Sequence, residues 1–273
     1  MICLAESSGL ARVRSLGFQA LVALLFAFLV APLAIVVVTA FDASVTMAVP
    51  PESLSLRWFA ALLDSPIWLR SLVNSVLVAS GTMFVSLLVG VPAALAVRQY
   101  TGRTQTVVVG VVVLPLLVPG VIIGVTLLTF FSRFGLQQSY AALVLAHSLW
   151  AVPLTFSVAQ SAFARFDWRL HEAAMDLGAS RFQAFRSVVV PEVRAGLLVA
   201  ALVAFIVSLQ EFVMALFLSG PDTRTVPVQA WNSLRQSLDP LVSVVSTVLL
   251  LAVVLLVLLS AAFAGLDRLA TDT

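Results

Sequence analysis

The sequence, 273 residues long, has no lysine: all 15 of its basic residues are arginine. A G-x-x-x-x-G-K-[ST] loop is thereby excluded, because its lysine ammonium is what holds the β- and γ-phosphates of a nucleotide. Any ATP that drives this protein is bound by another chain. Cysteine is nearly absent too, and Cys3 alone can close no intrachain disulfide and has no metal-ligating neighbours at useful spacing. Charge is scarce: 10% of residues are charged, against about 25% in ordinary soluble domains, which excludes a water-soluble globule. The two histidines, His147 and His171, do not make a metal centre. His171-Glu172-Ala173-Ala174-Met175 stops one residue short of H-E-x-x-H, with Met175 where the second zinc ligand belongs. There is no G-x-S-x-G elbow and no intramembrane aspartate pair, and Ser148 and Ser157 near His147 read as helix-packing serines. The sequence therefore predicts no catalytic site and no metal site.

What fills the sequence instead is apolar: 61% hydrophobic residues and a mean hydropathy of +1.11. A hydrocarbon core about 30 Å thick needs about 20 apolar residues of helix. Six such runs occur, over about 17–39, 72–97, 106–131, 140–164, 196–218 and 241–266. The expectation is an all-α polytopic membrane protein, with residues 1–273 as one transmembrane domain. The first run follows Arg12 and Arg14, as a cleavable signal would, but it is longer than a signal core and contains Pro32, so it reads as a retained anchor. Six spans put both termini on one side. Placing them in the cytoplasm assigns ten arginines inside and five outside, the orientation favoured by the positive-inside rule. These scattered arginines and a net charge of +2 are topology signals rather than a nucleic-acid footprint.

Two outer segments have helical periodicity. Leu56, Phe59, Ala60 and Leu63, with Trp58 and Trp68 nearby, predict a short helix at headgroup level, and Pro227, Trp231, Leu234 and Leu238 predict a second. The inner segment 165–194 is the long one. Leu170, Ala173, Ala174 and Leu177 form an apolar stripe, with Arg169, Glu172 and Asp176 opposite, and Gly178 is a natural stop. Ser180 with Gln183 forms a capping-box pattern, and Pro191 suits the first turn of a further helix with Glu192 near its positive end. Helix, tight turn and helix are expected, held against the inner ends of the spans.

Glu172-Ala173-Ala174, three residues, Gly178, nine residues, then Val188-x-Val190-Pro191 resembles the loop E-A-A-x3-G-x9-I-x-L-P of permease subunits of binding-protein-dependent ABC importers. Val188 and Val190 depart conservatively from isoleucine and leucine. The resemblance implies a type I importer permease in a bacterial inner membrane, whose loop docks on a cytoplasmic ATPase. Glu172, Ala173, Ala174, Asp176, Gly178 and Pro191 would then couple ATPase closure to the spans. It also implies the partners: a second homologous six-span permease, two ATP-binding subunits that hold ATP and magnesium, and an extracytoplasmic solute-binding protein. No cofactor is expected in this chain itself.

Ionisable groups inside spans are costly and mark candidate function. Glu211 and His147 each lie about seven residues, roughly 10 Å, from the outer end of a span and could face one cavity. Asn74, Gln160 and Gln210 are further candidates for a translocation pathway, or for bonds to helix backbones. The stretch from Ser208-Leu-Gln-Glu211 through Ser-Gly-Pro-Asp222 to Pro227-Val-Gln, with Ser246-Thr247 in the last span, is similar to the second permease subunit of spermidine/putrescine-type importers. That likeness implies a polyamine-type or related small nitrogenous solute. The competing expectation is a self-sufficient secondary transporter or channel, built on helices broken at Pro92, Pro115, Pro119 and Pro153.

Overall fold

The computed structural model describes residues 3–45, 49–51 and 53–271, with side chains described within 16–262. The side chains of Cys3, Arg12, Arg14 and Arg268 lie outside this set. Among the described residues the chain is helical and has no strands beyond one isolated bridge between Asp42 and Leu54. Helices α1 (Cys3–Ala40), α2 (Arg57–Leu63), α3 (Pro66–Val97) and α4 (Gly102–Val113) are followed by a 3-10 turn, Leu114–Leu117, and by α5 (Gly120–Ser132) and α6 (Tyr140–Arg165). Then come α7 (Trp168–Asp176), α8 (Arg181–Ala184), a π turn at Phe185–Val189, α9 (Val190–Leu209), α10 (Val213–Leu218), α11 (Val226–Gln236) and α12 (Pro240–Thr271). Five stretches are long and apolar enough to cross a bilayer, and a bent pair makes a sixth.

The chain divides into two compact units. Residues 65–232 and 251–273 form the larger, in which α3, α6 and α9 lie against one another and α5 lies against α10. Lipid supplies no hydrophobic force between helices, so close approach comes from small residues. Gly90 of α3 passes so near α6 that a Cβ would stand 3.1 Å from the Phe156 backbone nitrogen, and at Gly196 of α9 it would stand 2.5 Å from Ala162 Cβ. Alanines 79, 94, 142, 146, 159, 200 and 204 are buried between these helices for the same reason. The smaller unit, residues 1–64 and 233–250, contains α1, α2 and the start of α12. Thr39 donates to Ser243 Oγ at 3.2 Å and Thr247 to Val36 O at 3.4 Å, while the rings of Phe41 and Phe59 stand 5.0 Å apart.

Three expectations are corrected. The run 106–131 is not one straight span: α4 and α5 meet at 89°. Pro115 and Pro119 are spaced so that each removes a helical hydrogen bond from one short stretch, and the chain tightens into a 3-10 turn and then breaks at Val118. Pro92 and Pro153, isolated in long helices with neighbours on several sides, ride inside α3 and α6 without breaking them. The fifth run begins earlier than 196 and breaks before 218. Winding is continuous from Arg181 to Leu209, and Pro191 falls in the first turn of α9, directly after the π turn, as its position predicts. In a regular helix its ring would meet the carbonyl four residues back, and the wider π turn just before it relieves that crowding. Winding then lapses at Gln210–Phe212 before α10. Both short outer helices form where expected, as α2 and α11.

Candidate functional site

The segment after α6 is built by local caps. Asp167 accepts the Arg169 N–H at 3.1 Å and starts α7. The same carboxylate takes a second bond from Arg169 Nε, and this side-chain bond, with the backbone one, holds Asp167 below the ordinary carboxylate range. At the other end Ala179 N–H reaches back to Ala174 O at 3.1 Å and Gly178 N–H to Met175 O at 2.9 Å. This 6→1, 5→2 pair is a Schellman stop. Gly178 has φ +95°, a left-handed conformation that strains any residue with a Cβ. Ser180 Oγ then accepts Gln183 N–H at 3.3 Å while Gln183 Oε1 accepts Ser180 N–H at 2.9 Å, the reciprocal box the spacing predicts.

No residue of α7 is buried, and Trp168 at its start anchors it. Trp168 Nε1 donates to Phe163 O at 3.1 Å, its ring meets Phe166 edge to face at 5.0 Å, and the Arg98 guanidinium stacks 3.4 Å above it. Burial against this ring lowers the pKa of Arg98, opposed by the nearby charge of Glu172. The α7 stripe faces the opposite way from a core stripe: Leu170 is 53% exposed and Leu177 90%, and Phe182 of α8 is 72% exposed. Ala173 of the stripe, Glu172 and Asp176 of the opposite face and Gly178 are exposed as well, Ala174 is half-buried, and Pro191 is exposed in the first turn of α9. Sequence reasoning missed Arg98 and Trp168. The available signal was a tryptophan right after the helix cap and an arginine closing a span, the residue types that settle at a membrane interface.

A second cluster is buried among α3, α6, α9 and α10. His147 Nδ1 lies 2.8 Å from Ser208 Oγ, and Ser208 donates to Thr82 Oγ1 at 3.2 Å. His147 Nε2 comes within 3.3 Å of Glu211 Oε2, off the line of a hydrogen bond. Both Glu211 oxygens are engaged elsewhere, accepting Met214 N–H at 2.8 Å and Ala215 N–H at 2.9 Å, so the carboxylate caps α10 where the winding lapses. A negative group there also meets the positive end of the helix.

Asn74 belongs to a third place. Its Nδ2 donates to Asp222 O and Arg224 O, both at 2.9 Å, and its Oδ1 accepts from Tyr140 at 2.7 Å. Ser75 Oγ accepts Val226 N–H at 2.8 Å, and Thr223 donates to Gln138 O at 3.0 Å, so α3 and the 138 loop grip the segment before α11. Arg70 and Asp222, 2.6 Å apart, form an exposed ion pair beside a cleft of about 260 Å3 that Ser71, Arg224 and Gln229 also line. Of the five candidate pathway residues the structure brings together only His147 and Glu211. Gln160 is half-buried 20 residues along α6 from Tyr140, about 30 Å away, and Gln210 is exposed at the break.

The protein family described as binding-protein-dependent transport system inner membrane component matches residues 84–270. The chain is 25% identical over 236 residues to the spermidine/putrescine transport system permease protein PotC of Escherichia coli (strain K12), covering 86% of this chain and 89% of that one. It is 29% identical over 235 residues to the putrescine transport system permease protein PotI of the same organism, with 84% and 83% covered. Among solved structures it resembles a bacterial ABC transporter involved in import of the acidic polysaccharide alginate, with TM-score 0.69, 14% identity and 97% and 98% coverage. It also resembles the MetNI methionine ABC transporter, with TM-score 0.59, 19% identity and 74% and 99% coverage. The broken helices α4/α5 and α9/α10, the capped loop after α6 and a match to most of the length lead to one conclusion: this chain belongs to the binding-protein-dependent ABC importer permeases, the inner-membrane components of such transport systems.

Proposed function

We propose that this chain forms half of the solute pathway of an ATP-driven importer and couples to a separate ATPase through α7 and the Gly178 turn. The observation that carries the reading is the exposed ridge Leu170, Ala173, Leu177 and Phe182 on a segment whose two ends are fully capped. A rigid unit with apolar tips and small side chains transmits force into a groove of a partner, whereas a solvated connector has no reason to display leucine and phenylalanine. In this reading both termini and α7 face the cytoplasm, a second six-span permease completes the pathway, two ATP-binding subunits hold ATP and magnesium, and an extracytoplasmic binding protein delivers solute to the opposite face. The chain itself supplies binding surfaces and no catalytic group.

Polyamine-type cations are the solutes this reading favours. Support comes from the names of the two permease relatives, a spermidine/putrescine and a putrescine permease, and from Glu211, an acidic side chain set at a helix break as a pathway residue would be. Purification from the native membrane in mild detergent, with mass spectrometry of what accompanies the chain, tests the assembly; recovery of the chain alone, active in proteoliposomes without ATP, overturns it in favour of a secondary transporter. Glu172→Arg is expected to leave insertion intact and to separate ATP hydrolysis from uptake. Glu211→Gln is expected to lower uptake of a radiolabelled polyamine, and unchanged uptake across concentrations removes Glu211 from the pathway.

A further inference from the structure

At the end of α3, Arg98 is the first residue past the apolar span, and beside it the chain forms a cleft of about 320 Å3. Arg98, Gln99, His171 and Arg181 line it together with the apolar Leu95 and Phe185. Trp168 also lines it, with Arg98 stacked on its ring. The stacking fixes the guanidinium plane and leaves its edge, with the N–H donors, free for a ligand; Trp168 in turn is fixed by its bond to Phe163 O. Among the described residues neither Arg98 nor Arg181 forms an ion pair. Two guanidinium groups, an imidazole and an amide thus line one cleft at the level where a span leaves the hydrocarbon, and the Glu172 carboxylate, whose charge is felt at Arg98, forms no ion pair with it.

We propose that this cleft is a phosphate-binding site, occupied by the headgroup of an anionic phospholipid. Arg98 and Arg181 bind the phosphate oxygens, with Gln99 and His171 as further donors, and Leu95 and Phe185 cover the glycerol and the first methylenes. Basic pockets between helix ends at a membrane surface select anionic headgroups in this way. A free phosphate shares the polar half of this chemistry and has no use for the apolar half. Because Arg98 holds Trp168, and Trp168 is the anchor of α7, occupancy of the cleft bears directly on the segment proposed to meet the ATPase. The site stands or falls independently of that assignment.

The test uses the complex as purified, exchanged into nanodiscs of phosphatidylcholine with or without phosphatidylglycerol. Native mass spectrometry of the released chain reads the bound lipid, and melting temperature in phosphatidylcholine discs with added inorganic phosphate reads the soluble anion. Wild type should retain phosphatidylglycerol over phosphatidylcholine, and each arginine removed should cut that preference about fivefold. Arg181→Gln carries the test, since Arg181 is exposed and supports no packing; Arg98→Gln together with Arg181→Gln extends it. A phosphate-dependent melting shift that Arg181→Gln abolishes, without lipid preference, keeps the phosphate site and reassigns its source to solution. Equal retention of both lipids with no phosphate shift overturns the proposal. So does an Arg181→Gln variant that loses the ATPase on purification while binding lipid and phosphate as wild type does.

Discussion

Two loops at opposite ends of the α3 and α6 helices are both rigid, by opposite means. Around Gly178, order comes from neighbours in sequence: the Asp167 cap, the Schellman bonds and the Ser180–Gln183 box all span five residues or fewer. Around Asp222, order comes from residues about 150 positions away, with Asn74 and Ser75 of α3 holding the carbonyls of 222 and 224 and the N–H of 226. A locally capped loop keeps its shape while the helices beneath it move. A loop held from a distant helix follows that helix. The first arrangement suits a lever that must push on a partner, and the second suits a surface that changes position with the transmembrane helices.

The sharpest way to break this comparison is Asn74→Ala. Asn74 is buried, makes three hydrogen bonds and leaves two carbonyls without donors when truncated. A loss of about 3 kcal/mol is expected, read as a lower melting temperature in detergent, with new protease sensitivity confined to residues 219–229. Retention of wild-type stability and an intact 219–229 segment would mean that the distant bonds do not hold this loop.

The same contrast explains what could be read in advance. Everything set by short spacing was legible: six apolar runs, two amphipathic outer helices, the Gly178 stop and the Ser180 box. The bend at Val118 was legible only as one of several interruptions, at Pro92, Pro115, Pro119 and Pro153: the composition of 106–131 is that of a span, and only the coincidence of Pro115 and Pro119 in one short stretch turns two tolerable prolines into a break. The direction of the α7 stripe was not legible. Periodicity locates a face without saying whether the protein's own core or another chain covers it, and the anchor that settles the matter, Trp168 under Arg98, joins residues 70 positions apart. Among the candidate pathway residues, the proximity of His147 and Glu211 followed from equal depth in adjacent spans. Asn74 shares neither the depth nor the neighbours and holds the loop at 222–224 instead.

Gly178→Ala sharpens the comparison from the other end. A Cβ there meets nothing within 4 Å, so the whole cost is backbone strain at φ +95°, about 1 to 2 kcal/mol. The strain falls on the turn alone. Melting should shift less than for Asn74→Ala, while ATP hydrolysis by the assembled complex should respond less to solute-loaded binding protein. A variant whose hydrolysis and uptake both match wild type would show that the lever does not depend on the shape of this turn.

Ser180→Ala is the smallest perturbation and the most specific. It removes one half of the capping box, the bond to Gln183 N–H, and leaves the other, Gln183 Oε1 with Ser180 N–H. Cap losses of this kind cost about 1 kcal/mol, and here the helix runs on without interruption to Leu209, which spreads the defect into fraying of α8 alone. Hydrogen exchange should therefore quicken at residues 181–184 and nowhere in α9 or in 219–229. Ser180→Thr should restore protection and Ser180→Asp should exceed it, since a carboxylate adds charge to the positive end of the helix. If exchange instead rose at 219–229, the two loops would be coupled through the helices between them, and the lever and the outer surface would move as one body.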